Sequence, residues 1–409
     1  MQQRNARTGL GRSLAAATTV VAVFALSNAP TPLYPHWQVA WGFGSGTLTV
    51  VFAAYIVGLI GALLFAGRIA DRHGRRVVLL PGLGLAVASS ALFLLAQDVA
   101  WLLVARLLAG IAVGAVVTAG MAAVVDLAPA ARRHTGSLLA SAAMVLGAGL
   151  GPLLTGVIAR ATDSPQIAVF SALTATSLVG LIIAWTLPLS RPTHRDTSPW
   201  RLPMPPTAQR RELLWGIAAF GPGITATSFV LSLGPSVLSH RLGVTDPLLV
   251  GVTACGMFLA ATCVQFALAR LATRGHLLLS SLAAIAAMVL LAMSMSGLGG
   301  PTMFVAAALF AGVAQGLGQL AGLTLIATHI PTHRRAESNA VLSIGGYVPA
   351  ALLPIATGYL ADATGLAVAV TAFASALAMT AAVAMVAVRV STRDQSSHRQ
   401  AETKSEVLS

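Results

Sequence analysis

Twelve apolar runs of about twenty residues, set apart by short polar connections, leave this chain few possible folds. A helix crosses the ~30 Å hydrocarbon layer of a bilayer in about 20 residues. Inside lipid every backbone N–H and C=O must be paired, so a spanning segment is a helix or one strand of a closed barrel. Runs this long, without strict apolar–polar alternation, predict helices. They fall near residues 14–35, 47–69, 77–97, 100–125, 137–160 and 166–188, then 213–239, 247–269, 277–297, 302–326, 338–361 and 366–389. Composition agrees: 56% of residues are hydrophobic and 9% charged, against about 25% charged in ordinary globular domains. A soluble globular protein is excluded, and an all-α integral membrane protein with twelve transmembrane helices is expected.

The net charge of +13 raises nucleic-acid binding as another class. The position of the charge argues against it, because the basic residues are confined to the connections and the two ends, with Arg106 the exception inside a span. Only Lys404 breaks an otherwise all-arginine basic set. Cys255 and Cys263 share one apolar run and suggest neither a disulfide framework nor a metal site. Residues 1–30 have the basic start, apolar middle and small residues of a signal peptide. The repeat described next gives them an internal counterpart, so they are expected to remain as the first span.

Ser190–Glu212, rich in arginine and proline, is the one long hydrophilic connection. It divides the chain into six spans at 1–189, a central loop at 190–212, and six spans with a tail at 213–409. Connections on one side of the membrane hold only Arg160 and Arg241 among basic residues. The other side holds both chain ends, the central loop, and the arginines at 68–76, 132–133, 270–274 and 334–335. The positive-inside rule therefore predicts cytoplasmic termini. A shift of 202 residues brings Pro129, Arg132 and Arg133 onto Pro331, Arg334 and Arg335. The same shift pairs Ala105, Leu107, Ala109, Gly110, Ala112 and Gly114 with Ala307, Leu309, Ala311, Gly312, Ala314 and Gly316. It also pairs Pro152, Thr155, Gly156, Ala159, Ala161 and Thr162 with Pro354, Thr357, Gly358, Ala361, Ala363 and Thr364. Six spans repeated in parallel imply two bundles related by an axis along the membrane normal, able to rock about a central cavity.

Between the second and third runs stands Gly67-Arg68-Ile69-Ala70-Asp71-Arg72-His73-Gly74-Arg75-Arg76. Gly67 would let a helix approach the last turn of the second span, and Gly74 would supply the turn. Asp71 is poorly placed for its own helix, whose C-terminal end is already negative; the N-terminus of a neighbouring helix or an arginine would stabilise it. Asp126, at the end of the fourth span, lies at the same depth, within reach of Arg75 or Arg72. The segment resembles the G-x-x-x-D-(R/K)-x-G-(R/K)-(R/K) loop of major facilitator superfamily transporters. That resemblance implies a cytoplasmic latch between the two halves, built from Gly67, Asp71, Arg72, Gly74, Arg75 and Asp126 against the start of span eleven. The counterpart loop keeps Arg270, Ala272 and Arg274 but has Thr273 where the aspartate would stand. A solvated basic turn that only fixes topology is the plainer alternative.

Leu102-x-x-x-Arg106-x-x-Ala109-Gly110 resembles the family's fourth-helix motif L-x-x-x-R-x-x-Q-G, with alanine in place of glutamine. An arginine in hydrocarbon is costly unless it faces a wet cavity or a partner, and its counterpart is Ala308. It either has a cavity or coupling role, or hydrogen-bonds backbone carbonyls of the proline-broken first helix. Gly147-x-x-x-Gly151-Pro152-x-x-Thr155-Gly156 resembles the fifth-helix motif of the family's drug and metabolite exporters, with Thr155 replacing one glycine. Glycines there permit close packing and Pro152 a bend. The prolines of Asn28-Ala-Pro30-Thr-Pro32-Leu-Tyr34-Pro35 prevent regular helix. Asn28, Thr31 and Tyr34 then line a cavity, or Tyr34 and Trp37 anchor a helix ending at the interface. Gln315 and Gln319 lie one turn apart beside Gly316 and Gly318, giving span ten a small, polar face. Gln265, Asn339 and Tyr347 are further polar residues in or near spans.

No nucleotide-binding P-loop occurs and no carboxylate lies centrally in a span. His36 and His240, near the outer ends of spans one and seven, either titrate in transport or simply sit at the interface. The resemblance covers residues 13–390. It implies a monomeric secondary transporter of the bacterial cytoplasmic membrane, exporting small hydrophobic or amphiphilic compounds in exchange for protons, with lipid its only other partner. Neither an enzymatic site, a metal, a cofactor nor a nucleic-acid partner is expected. Uptake or exchange of a neutral polar metabolite such as a sugar is the alternative, and a non-transporting membrane receptor on the same fold is the reading from another class.

Overall fold

The computed structural model describes residues 2–129, 132–189, 210–297, 299–331 and 334–407. Most of the central connection, residues 190–209, lies outside the described residues. Among the described residues there is no strand, and twelve segments are long and apolar enough to cross a membrane. They are α1 (Gly9–Trp41), α2 (Ser45–His73), α3 (Arg76–Leu94), α4 (Val99–Leu127), α5 (Arg133–Ala161) and α6 (Pro165–Thr186). The second set is α7 (Arg210–Ser232), α8 (Pro247–Ala267), α9 (Thr273–Met295), α10 (Gly300–His329), α11 (Glu337–Thr364) and α12 (Leu366–Val390).

Their boundaries follow local chemistry. α2 runs a full turn beyond its apolar stretch, so Asp71 and Arg72 are helical, and it stops only where Gly74 adopts φ 95°. The connection to α3 is thus just Gly74 and Arg75. Asp98 caps α4: its Oδ1 accepts from the N–H groups of Ala100 and Trp101, satisfying donors that a helix start leaves open. α1 is not regular throughout. Its helix stops at Asn28, a 3-10 turn covers Thr31–Leu33, and a short helix Tyr34–Trp41 follows. Pro30 and Pro32 lack the N–H groups that a continuous helix would need. α4 contains a π segment at Val116–Gly120, and another follows α7 at Val237–Arg241.

The chain forms two compact units. The first comprises Met1–Pro203, Ser228–Leu259 and Ala351–Ala369; the second comprises Met204–Thr227, Ala260–Ala350 and Val370–Ser409. Lipid tails are as apolar as leucine, so close van der Waals packing must hold the helices. In the first unit, α2 and α4 cross through reciprocal glycines. A Cβ on Gly58 would overlap the Leu107 carbonyl oxygen, and one on Gly110 would overlap that of Tyr55. α1 and α5 cross similarly, with Gly151 against the Ala25 carbonyl and Gly147 against Val21 and Phe24. In the second unit, Gly316 meets the Ala261 carbonyl and Gly318 that of Ala219. Alanines 283, 284, 314 and 381 pack together beside them.

Candidate functional site

At the arginine-rich end of the first unit, Arg75 and Asp126 meet, with Nη1 2.6 Å from Oδ2. The contact is an ion pair lacking good hydrogen-bond alignment. Both side chains are partly exposed, 31% and 47%, so the pair contributes no more than about 1 kcal/mol. Arg76 turns the other way. Its Nη2 donates to the Trp185 carbonyl at 3.0 Å and its guanidinium lies 5.4 Å from that indole's centroid, tying the connection to α6. Asp71 stands exposed on the last turn of α2. A Cβ at Gly67 would meet no atom within 4 Å, so in this structure Gly67 is not a point of close helix approach.

Deeper in the same unit, Arg106 is completely buried. Its Nε donates to the Tyr34 hydroxyl at 2.7 Å, its Nη2 reaches the same oxygen, and its Nη1 donates to the Ser27 carbonyl. Ser27 belongs to the last turn of the first helical stretch of α1, where carbonyls lack the usual partner four residues on. The break in α1 therefore supplies both acceptors. The rings of Phe52, Tyr34 and Tyr55 lie 5.3, 5.4 and 5.6 Å from the guanidinium carbon, a cation–π enclosure from α1 and α2. No carboxylate pairs with Arg106 among the described residues. The Ser27 contact is the backbone-carbonyl bond expected of Arg106 against the proline-broken first helix, and the Tyr34 hydroxyl is its second acceptor.

Around that cluster, Thr31 is buried with its hydroxyl unpartnered, while Asn28 Nδ2 donates to Ser27 Oγ at 2.9 Å. Trp37 is fully buried rather than placed at an interface. It stacks on Phe93 and Phe170, and its Nε1 donates to Gln166 Oε1 at 2.9 Å. In the second unit, Gly316 and Gly318 face neighbouring backbones in close packing. Gln265 Nε2 donates to the Gly316 carbonyl at 3.0 Å. Gln315 Oε1 is buried without a partner, Gln319 is half-buried, and the Tyr347 ring meets Phe220 edge-on. His36 and His240 are exposed.

The sequence pattern of the Major Facilitator Superfamily matches residues 16–298 and 274–409. This chain belongs to the Major Facilitator Superfamily. Multidrug resistance protein MdtL of Klebsiella pneumoniae (strain 342) is 28% identical over 204 residues, covering 49% of this chain and 52% of that protein. Cephamycin export protein CmcT of Amycolatopsis lactamdurans is 35% identical over 130 residues, 31% of this chain and 26% of that protein. The matches thus span about half the length of the first relative and less of the second. Among solved structures, nucleoside transporter NupG superposes with a TM-score of 0.71 at 12% identity, covering 92% of this chain and 99% of that one. Peptide transporter POT in complex with sulfate gives 0.74 at 13% identity, covering 94% and 97%. At such identities the likeness is one of fold.

Two segments that resemble superfamily motifs have physical partners. The arginine of the fourth-helix motif is held by α1, and the fifth-helix motif is where α5 meets backbone: Gly147 and Gly151 on α1, Gly156 on Pro247 and Leu248 at the start of α8. Sequence reasoning missed Phe52 and Tyr55, which enclose Arg106, and Gln166, whose Nε2 also donates to the carbonyls of Phe93, Leu94 and Ala96. Aromatic side chains in apolar spans carry no sign of which cation they cover. Only the rotation of α2 about its axis decides that.

Proposed function

We propose that this protein is a monomeric secondary transporter that exports small hydrophobic or amphiphilic compounds in exchange for protons. It works by alternating access between two six-helix halves, in a bacterial cell membrane, with both termini cytoplasmic. The observation that carries the reading is α5, where the Gly-Pro motif of superfamily exporters supplies the close contacts to α1 and α8. The named roles of MdtL and CmcT, one in drug resistance and one in export, point the same way. Arg106, with Tyr34, Asn28 and Thr31 around it, is the polar centre of the first half, and Gln315 that of the second. So few charges in the spans disfavour a highly charged substrate.

Everted vesicles bearing the protein should accumulate members of a panel of lipophilic dyes and antibiotics when acidified inside, and a protonophore should abolish the uptake. Counterflow in proteoliposomes that ignores the pH gradient would instead mark facilitated exchange of a neutral solute. Binding without counterflow would mark a receptor. The arginine-rich end is the cytoplasmic latch, with Gly74 setting its turn and Arg72, Arg75, Asp71 and Asp126 its charges. Asp71→Asn is expected to insert in normal amounts and to lose most transport. Wild-type rates in the inserted variant would remove the latch from the mechanism.

A further inference from the structure

At the end of the first unit opposite the arginine-rich connection, α2 and α11 cross. Asp362 of α11 places one oxygen on each of two backbone donors: Oδ1 accepts from the Ser45 N–H and Oδ2 from the Gly46 N–H, both at 2.8 Å. These are the first two N–H groups of α2, whose own N-cap residue, Gly44, has no side chain to offer. The packing is close on both sides. A Cβ at Gly44 would lie 2.6 Å from Asp362 Oδ2, one at Gly46 2.6 Å from the Tyr359 ring, and one at Gly358 2.7 Å from the Ser45 carbonyl oxygen.

The 202-residue repeat supplies an internal control. It maps Gly358 onto Gly156, Asp362 onto Arg160, Gly44 onto Asp246, and Ser45 onto Pro247. The mapped residues also meet. A Cβ at Gly156 would lie 2.7 Å from the Pro247 carbonyl oxygen, and Arg160 Nη1 stands 3.7 Å from Asp246 Oδ2. The backbone crossing is thus repeated, but the chemistry is not. α8 is capped by its own Asp246, whose Oδ1 accepts from the Leu248 N–H at 2.9 Å. α2 lacks such a residue and takes its carboxylate from another helix, more than three hundred residues away in sequence. At the same end Gln38 Oε1 accepts from Ser236 Oγ at 2.8 Å, joining α1 to the segment after α7.

We propose that Asp362 is a positioning residue of the transport cycle, a helix cap that α11 lends to α2 only while this end of the molecule is closed. Opening this end withdraws the carboxylate and leaves the positive N-terminus of α2 to water. A cap held in cis, as on α8, is indifferent to conformation; a cap held in trans biases it. The Arg160–Asp246 pair, 63% and 40% exposed and 3.7 Å apart, adds little bias of its own. The inference rests on the alternating-access reading above.

Pulsed electron paramagnetic resonance on the full chain tests it, in a background of Cys255→Ser and Cys263→Ser with nitroxides on Ala40→Cys and Ala363→Cys. Two inter-label distances are expected in the parent, with their ratio moving between neutral and mildly acidic pH. Asp362→Ala and Asp362→Asn are each expected to shift that ratio toward the longer distance by about two- to fivefold, the scale of a charge at an exposed helix terminus. Arg160→Ala should move it by less than about twofold. Adding Gly44→Asp to Asp362→Ala gives α2 a cap in cis, as Asp246 gives α8. It should recover thermal stability without recovering the short distance, which a merely structural cap would not do. An unchanged ratio in both Asp362 variants, or recovery of the short distance by Gly44→Asp, overturns the proposal. A parent with one distance at every pH defeats alternating access instead. Asp362 variants sharing that single distance would defeat the cap with it.

Discussion

Gly110→Val is expected to remove most folded protein from the membrane, or to cost about 3 kcal/mol or more of stability in what remains. At this position a Cβ would overlap the Tyr55 carbonyl oxygen and lie 2.8 Å from the Leu59 nitrogen. The obstruction is backbone of α2, which cannot swing aside as a flexible side chain would. Across the same crossing Gly58 faces the Leu107 carbonyl oxygen, so the two helices touch through both partners and separate together. With no hydrophobic gain to be had between helices in lipid, loss of this contact has no compensation. Fluorescence-detected size exclusion and thermal melting in detergent measure the effect. Gly61→Ala, three residues along α2 from Gly58, is the control: its Cβ would meet nothing within 4 Å, and it should change stability by less than about 0.5 kcal/mol. Equal melting of the two variants would contradict the crossing described here.

Arg106→Ala is expected to reduce transport per inserted molecule to a tenth or less. The substitution leaves the Tyr34 hydroxyl and the Ser27 carbonyl without their donor in a buried site, at about 1–3 kcal/mol for each group stranded. It also takes the cation from among Phe52, Tyr34 and Tyr55. Arg106→Lys should fail nearly as badly, because an ammonium bears its donors on one nitrogen and cannot reproduce the planar fork that reaches the Tyr34 hydroxyl and the Ser27 carbonyl together. Transport in proteoliposomes, normalised to protein in the membrane, separates function from folding. A stable, active Arg106→Ala variant would show that the cluster is no more than packing, as Ala308 at the repeat position allows.

Much of this architecture is legible in one dimension. The predicted spans agree with the observed helices to within a few residues through most of the chain. α2 exceeds its apolar run because arginine, aspartate and histidine are tolerated in helix until Gly74, with its positive φ, ends it. The proline-broken end of α1 and the special place of Arg106 could also be read in advance, since an arginine inside hydrocarbon demands a partner. The candidate site was less legible. Trp37 looked suited to an interface and is buried against Phe93 and Phe170. Gly316 and Gly318 mark a small face of span ten, but do not reveal that it meets the backbones of α8 and α7.

The class of molecule, the number and order of its helices, its internal repeat and its superfamily are all written in the linear chain. Each depends on run length, residue type and spacing, which are properties of the chain alone. The partners come from packing: Asp126 for Arg75, Tyr34 for Arg106, α2 for Asp362. Hydropathy says that a helix spans the bilayer but leaves its tilt and its rotation about its own axis free. Those two freedoms are fixed only when glycine-lined faces lock together, and they alone select which polar side chain meets which.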